Sequence, residues 1–174
     1  MIKMNNHLLI KKGAVLFLLT TILFLNAQKQ LRTFPDMEDK LGTHFPIENF
    51  KDKNGKNYNP KYLKGKTTFI NLWSTTCAPC LKELPFLNKL QKSVPRSLFI
   101  GITYDNPEKV NNFLTTHNFN FHQITDAGQQ LKSYLVIQRF PMSFVIDKSG
   151  IIKEIIGIVN EDNSDSILKS LNEE

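Results

Sequence analysis

The chain's only two cysteines stand three residues apart, as Cys77-Ala78-Pro79-Cys80, where the hydrophobic pattern changes period. Before them, Thr67 to Trp73 is an apolar run of β-branched and aromatic residues ending in the only tryptophan, and reads as a strand. After them, Leu81, Leu84, Leu87 and Leu90 recur at helical spacing, with Phe86 alongside, until Val94-Pro95 ends the pattern. A strand that hands two thiols to the first turn of a helix confines the chain to an α/β layer arrangement.

That joint also carries chemistry. Cysteines three apart at a helix start can close a disulfide with little backbone movement. The Cys77 sulfur should face the unpaired N–H groups of the first turn, whose positive partial charge stabilises a thiolate and makes it the attacking group. Cys80, one turn further in and more buried, is placed to attack a mixed disulfide formed at Cys77. Pro79 suits a first turn that does not need its N–H. Two bland readings compete. A structural staple closing four residues contributes only about 2 kcal/mol on the chain-entropy model, against about 4.7 kcal/mol for a loop of about 100 residues. A structural zinc needs four ligands, and His7, His44, His117 and His122 have no motif spacing to the pair. Redox exchange is the stronger reading.

The N-terminus bears on where that exchange happens. Lys3, Lys11 and Lys12 precede an apolar run from Gly13 to Leu25, followed by Asn26-Ala27-Gln28. A basic segment, a short apolar core and a small residue make a secretory signal. The run falls short of the roughly 20 apolar residues of a spanning helix unless the lysines snorkel. Residues 1–27 are therefore expected to be a signal peptide or an uncleaved anchor. Either way the domain is exported to a periplasmic or extracytoplasmic, oxidising compartment, with membrane contact only if the segment stays attached. The formal charge of +6 falls to +3 without the three leading lysines. The other lysines are scattered, and no basic stripe interleaved with aromatics argues for nucleic acid.

The remainder reads in order. Residues 28–43 are a polar lead-in, and a domain is expected over 44–174. Phe45 to Phe50 reads as a strand, the Asp52-Lys53-Asn54-Gly55 turn follows, and a return strand near Lys56–Tyr58 would complete a hairpin. Ser97 to Tyr104 reads as a central strand. Asp105-Asn106-Pro107-Glu108 starts a helix, with a polar cap, Pro in the first turn and an acid near the positive end of the dipole, and Val110, Phe113 and Leu114 form its buried face. A short strand over Phe121–Thr125 precedes a helix over Ala127–Leu135 that Asp126 would cap. Ser143 to Asp147 and Ile151 to Ile156 form a closing hairpin, and a last helix runs to about Leu171. The order is β-β-α-β-α-β-α-β-β-α: a mixed central sheet with helices on both faces and an N-terminal β-hairpin extension.

The segment Trp73-Ser74-Thr75-Thr76-Cys77-Ala78-Pro79-Cys80-Leu81-Lys82-Glu83-Leu84-Pro85 resembles the active-site segment of thioredoxin-like proteins, and within them the TlpA/ResA-type exported thiol–disulfide oxidoreductases. Phe140-Pro141-Met142-Ser143-Phe144-Val145-Ile146-Asp147 resembles that family's cis-proline loop and the strand after it. The likeness runs from about Gly42 to the C-terminus. It implies a thioredoxin-like fold and a cis bond before Pro141 that presents the Phe140 backbone for β-like pairing with a substrate peptide. It assigns Glu83 to tuning or relaying protons for the thiols, and Trp73 to walling the substrate site. It implies disulfide-containing or dithiol protein substrates, a membrane electron donor, and no cofactor or metal. Because the family includes reductants of apocytochrome c cysteines, cytochrome c maturation enters as a substrate class. Two departures stand out. Asn71 occupies the place of a buried Asp in cytosolic thioredoxins, and Thr76 that of a Trp in many relatives.

Two alternatives belong to the same fold. Peroxiredoxin-like peroxidases need a Pro and a Thr or Ser shortly before their cysteine, and Asn71 stands where the Pro is expected. Copper-handling modules use Cys-x-x-x-Cys with a distal His, for which His117 or His122 would serve, but the cysteine spacing here is one short.

Overall fold

The computed structural model describes residues 34–172. The expected signal or anchor over 1–27 and the first part of the lead-in lie outside the described residues. Among the described residues no helix is long and apolar enough to cross a membrane.

Five strands form one sheet in the order β3-β2-β1-β4-β5: β1 (Thr68–Trp73), β2 (Leu98–Thr103), β3 (His122–Ile124), β4 (Met142–Ile146) and β5 (Ile152–Ile156). Strands β1, β2 and β3 are parallel, while β4 runs antiparallel to β1, and β5 to β4. Among the described residues there are also four α-helices: α1 (Ala78–Ser93), α2 (Pro107–Leu114), α3 (Gly128–Tyr134) and α4 (Glu161–Asn172). This is the expected mixed sheet.

The two faces of β1 explain the layers. Ile70 and Leu72 join a core with Leu131 of α3 and with Met37, Phe45, Ile47 and Phe50 of the N-terminal segment. Phe69 and Trp73 join a second core with Leu84, Leu87 and Leu90 of α1, Val110 of α2 and Ile167 and Leu171 of α4. All six residues of β1 are buried, which is why the strand reads as a continuous apolar run rather than an alternating one.

Three differences from the sequence reading have physical causes. Phe45–Phe50 is not a strand. It makes a short 3-10 turn over Ile47–Asn49, and the expected N-terminal hairpin shrinks to a single antiparallel bridge between Lys51 and Asn57. Phe45, Ile47 and Phe50 are all buried in one core; Phe45 and Ile47 would share a face of a strand, but Phe50 would fall on the opposite face, and the turn over Ile47–Asn49 brings all three to the same side. Asp126 does not cap α3. It adopts φ 55° and donates its N–H to the Asp105 carbonyl, and Ala127 takes the cap position without a side-chain bond. The lead-in is also part of the body from Phe34 onward. Pro35–Lys40 forms a 3-10 helix that buries Met37 completely, and Gly42 and Thr43 exchange backbone bonds with Ile152.

Candidate redox site

The site sits where β1 and β2 end, the side of an open sheet on which ligands bind. Beyond Trp73 the chain leaves the sheet, and Cys77 becomes the N-cap of α1. Its sulfur accepts a hydrogen bond from the Cys80 N–H at 3.2 Å. Cys77 and Cys80 form a disulfide with their Cα atoms 5.2 Å apart. The two sulfurs are unequally placed: Cys77 is half-buried and Cys80 is 1% exposed within the α1-side core. The expected inequality of the pair is thus present in the geometry.

Beneath the pair lies a buried carboxylate. Glu83 follows Cys80 by three positions, so both occupy one face of α1. Its side chain accepts from Asn71 Nδ2 at 2.8 Å and from the Val159 N–H at 2.9 Å. Burial pushes its pKa up to about 7, and these two donors only partly oppose the shift. Asn71 sits mid-strand in β1 directly opposite Ser143 of β4, and its Nδ2 also donates to Ser143 Oγ at 3.0 Å. Asn71 is therefore a clamp that ties Glu83 of the helix to Ser143 of β4.

The Phe140–Pro141 bond is cis and opens β4 beside the end of β1. Phe140 and Cys77 are both half-buried and pack against the same core cluster. The Phe140 ring meets Tyr104 edge-on at 5.5 Å. Trp73 is placed differently from the wall that the resemblance implies. It is 1% exposed, packs on Phe113 and Phe119, and its indole N–H donates to Gln123 Oε1 at 3.0 Å. It has no surface left for a substrate and belongs to the same core cluster as Cys80. Gly101 opposes Asn71 on β2 for a related reason: a Cβ there would come within 2.6 Å of Gln123 Oε1 and 2.9 Å of Trp73 Nε1.

One residue, read from the sequence only as part of a helix start, has a larger role. Asp105, 4% exposed just beyond β2, anchors the loop that leads to Cys77. Its Oδ2 accepts from Ser74 Oγ at 3.0 Å and from the Thr75 N–H at 2.7 Å, while Oδ1 pairs with Lys109 Nζ at 2.6 Å. Burial alone would raise its pKa, but the bonds from Lys109, Thr75 and Ser74 outweigh it and hold the carboxylate below its usual range. The signal was an Asp two residues after a buried strand, indistinguishable from an ordinary helix-start acid until the fold brings it to Ser74. Asp105→Ala should cost about 3 kcal/mol in urea unfolding, since it strands buried donors. Asp105→Asn, which keeps one acceptor for Ser74 and Thr75, should cost clearly less. Equal losses would contradict the anchoring role.

The copper alternative gains nothing from the geometry. Among the described residues no three His, Cys, Asp or Glu side chains converge as a metal site. His122 Nε2 is engaged with the Tyr58 hydroxyl at 2.6 Å, and the His117 ring stacks on Phe113.

Residues 32–171 match the Redoxin family. A thiol-disulfide oxidoreductase ResA of Bacillus thuringiensis is 32% identical over 168 residues, covering 94% of this chain and 92% of the relative. ResA of Bacillus subtilis is 30% identical over 125 residues, or 69% of each chain. Among solved structures, a putative protein disulfide isomerase from Bacteroides thetaiotaomicron superposes with a TM-score of 0.64 at 25% identity, covering 76% of this chain and 87% of that one.

Proposed function

The chain belongs to the Redoxin family, with ResA-type thiol–disulfide oxidoreductases among its relatives, and from that premise we propose that it is an exported oxidoreductase that reduces or exchanges protein disulfides through Cys77 and Cys80. The observation that carries this reading is the inequality of the pair: a half-buried sulfur receiving an N–H at the start of α1, and a buried one behind it.

In the reduced protein the Cys77 thiolate attacks one sulfur of a substrate disulfide. A mixed disulfide forms and the other substrate sulfur leaves as a thiol. Cys80 then attacks Cys77, releasing the second substrate thiol and closing the Cys77–Cys80 bond. For that step Cys80 must lose its proton in an apolar surrounding, and Glu83, on the same helix face and titrating near neutrality, is the group to take it. The backbone at Phe140 holds the incoming peptide in β-like pairing.

The rim suits a protein substrate. Four of the five exposed large hydrophobics among the described residues are Tyr104, Val136, Ile137 and Ile158. They lie in the loops after β2, before β4 and after β5, all at the end of the sheet where β1 delivers Cys77. Reoxidised protein would be returned to the dithiol by a membrane electron donor. Apocytochrome c, whose haem-binding cysteines must be reduced before attachment, is the substrate class we infer.

The test is a trap. Full-length Cys80→Ser, incubated with a disulfide-bonded protein, should accumulate a one-to-one mixed disulfide through Cys77 that dithiothreitol releases. Absence of that adduct while Cys77 stays free and alkylatable would sink the reading.

A further inference from the structure

The lead-in segment does more than connect. Arg139 is the residue immediately before Phe140 and the cis bond, and its guanidinium is held from the far end of the chain. Its Nη2 pairs with Asp36 Oδ1 at 2.6 Å, and its guanidinium lies 5.2 Å from the centre of the Phe34 ring. Both partners of the ion pair are largely shielded, with side-chain exposures of 29% and 22%. The Arg139 charge keeps the Asp36 carboxyl below its usual range. Phe34 and Phe140 pack against the same core cluster, so the contact continues from the guanidinium into the apolar layer. The segment itself is pinned by Met37, which is fully buried, and by the backbone exchange at Gly42 and Thr43 with β5.

The loop needs such a hold. Between α3 and β4 the chain runs through Val136 and Ile137, which are 72% and 53% exposed and give it little packing of their own. Phe140 is fixed by Tyr104 from one side. Arg139 supplies the other fixed point, and the peptide between residues 139 and 140 is the one whose orientation decides whether the Phe140 backbone can pair with an incoming strand.

We propose that Phe34 and Asp36 form a strap that positions the substrate-pairing loop through Arg139, making the N-terminal lead-in part of the protein-substrate site. The proposal rests on the reading of Phe140–Pro141 as the place where a substrate peptide pairs. An isolated surface ion pair would contribute little, but this one is half-buried, backed by an aromatic ring, and joined to a loop that works only in one orientation. A small disulfide that makes no backbone pairing can react at Cys77 without the strap. A protein disulfide, which pairs with the Phe140 backbone, binds more weakly without it.

The experiment compares full-length protein with Asp36→Asn, Arg139→Gln and the exchanged pair Asp36→Arg with Arg139→Asp. Each is assayed on insulin and on a small aromatic disulfide, and each is melted. Wild-type turnover of both disulfides establishes the Cys77–Cys80 chemistry on its own. The single variants should then raise KM for insulin roughly tenfold, as expected for loss of a charge-assisted bond, with kcat and the small-disulfide rate unchanged. The exchanged pair should recover at least half of that loss. Single variants with an unchanged KM for insulin would overturn the strap. So would a parallel loss on both disulfides that follows the melting temperature, or an exchanged pair no better than the singles.

Discussion

Glu83→Gln should flatten the pH dependence of stability that the wild-type protein shows between about pH 4.5 and 7. In the folded chain the Glu83 carboxyl titrates near 7, against an ordinary value of 4.5. Across that window the folded protein keeps a proton that the unfolded chain has released, so stability falls as pH rises and stays low above 7. The difference between the two values corresponds to about 3 kcal/mol for this one group. Solvent screening does little to reduce it, because the side chain is 1% exposed. The variant has no charge to bury. Urea unfolding at pH 5 and pH 8, with the disulfide closed in both proteins, should show the wild type losing about 2.5 kcal/mol more than Glu83→Gln between the two pH values. Parallel profiles would mean that the carboxylate is not buried as described.

The surroundings of Glu83 let the variant fold. Asn71 donates to Glu83 and to Ser143, while its Oδ1 is buried without a hydrogen-bond partner. Rotating the amide turns Oδ1 toward both neighbours. It can then accept from the glutamine side chain and from the Ser143 hydroxyl, while glutamine's own oxygen keeps the Val159 N–H. The same rotation serves a protonated Glu83. An Asp at position 71 would place a second carboxylate against the first, and like charges in one site force one of them to stay protonated. Asn71 and Glu83 thus form a matched set: the amide adapts to either protonation state, and the helix carboxylate titrates in the range where thiol exchange occurs. If Glu83 takes the Cys80 proton, the glutamine variant should also slow the closing of the mixed disulfide by about 10²-fold, the lower end of general acid–base assistance.

What was legible in the sequence was what is local. The period change at Cys77, the leucines of α1, the apolar run of β2 and the Lys148-Ser149-Gly150 turn each depend on neighbours within a few residues, and their elements stand where the patterns put them. The redox pair was legible because its spacing is itself the chemistry. Phe45–Phe50 misled because aromatic and aliphatic residues satisfy strand propensity, whereas what they do here is cover the sheet through a turn. Trp73 was assigned to the surface of the site. Which face of β1 it occupies depends on α1, α2 and β3 packing over it, and on Gly101 leaving room. The roles of Asp105 and Asp36 were invisible for a plainer reason. Each works on a residue 31 or 103 positions away, Ser74 and Arg139 respectively, and no periodicity in one chain encodes such a pairing.

Cys77→Ser should abolish turnover, whereas Cys80→Ser should retain the first exchange and lose only the second. Serine at 77 leaves the cap of α1 in place, since its hydroxyl can accept the Cys80 N–H. The loss would therefore reflect the missing nucleophile and not a frayed helix. The remaining thiol at Cys80 is 1% exposed and enclosed by the α1-side core, where burial opposes a thiolate and substrate has no access. In the reduced wild-type protein, iodoacetamide should accordingly modify Cys77 first, faster than Cys80 by about tenfold or more, the factor expected from a single unit of difference in thiol ionisation. Mass spectrometry of the labelled peptide reads the order directly. Labelling at Cys80 first, or residual turnover in Cys77→Ser, would reverse the roles of the two sulfurs and with them the direction in which the mixed disulfide is resolved. The same labelling repeated in Asp105→Ala should leave the order unchanged and slow Cys77, because the loop from Ser74 to Thr76 delivers that sulfur and Asp105 holds the loop.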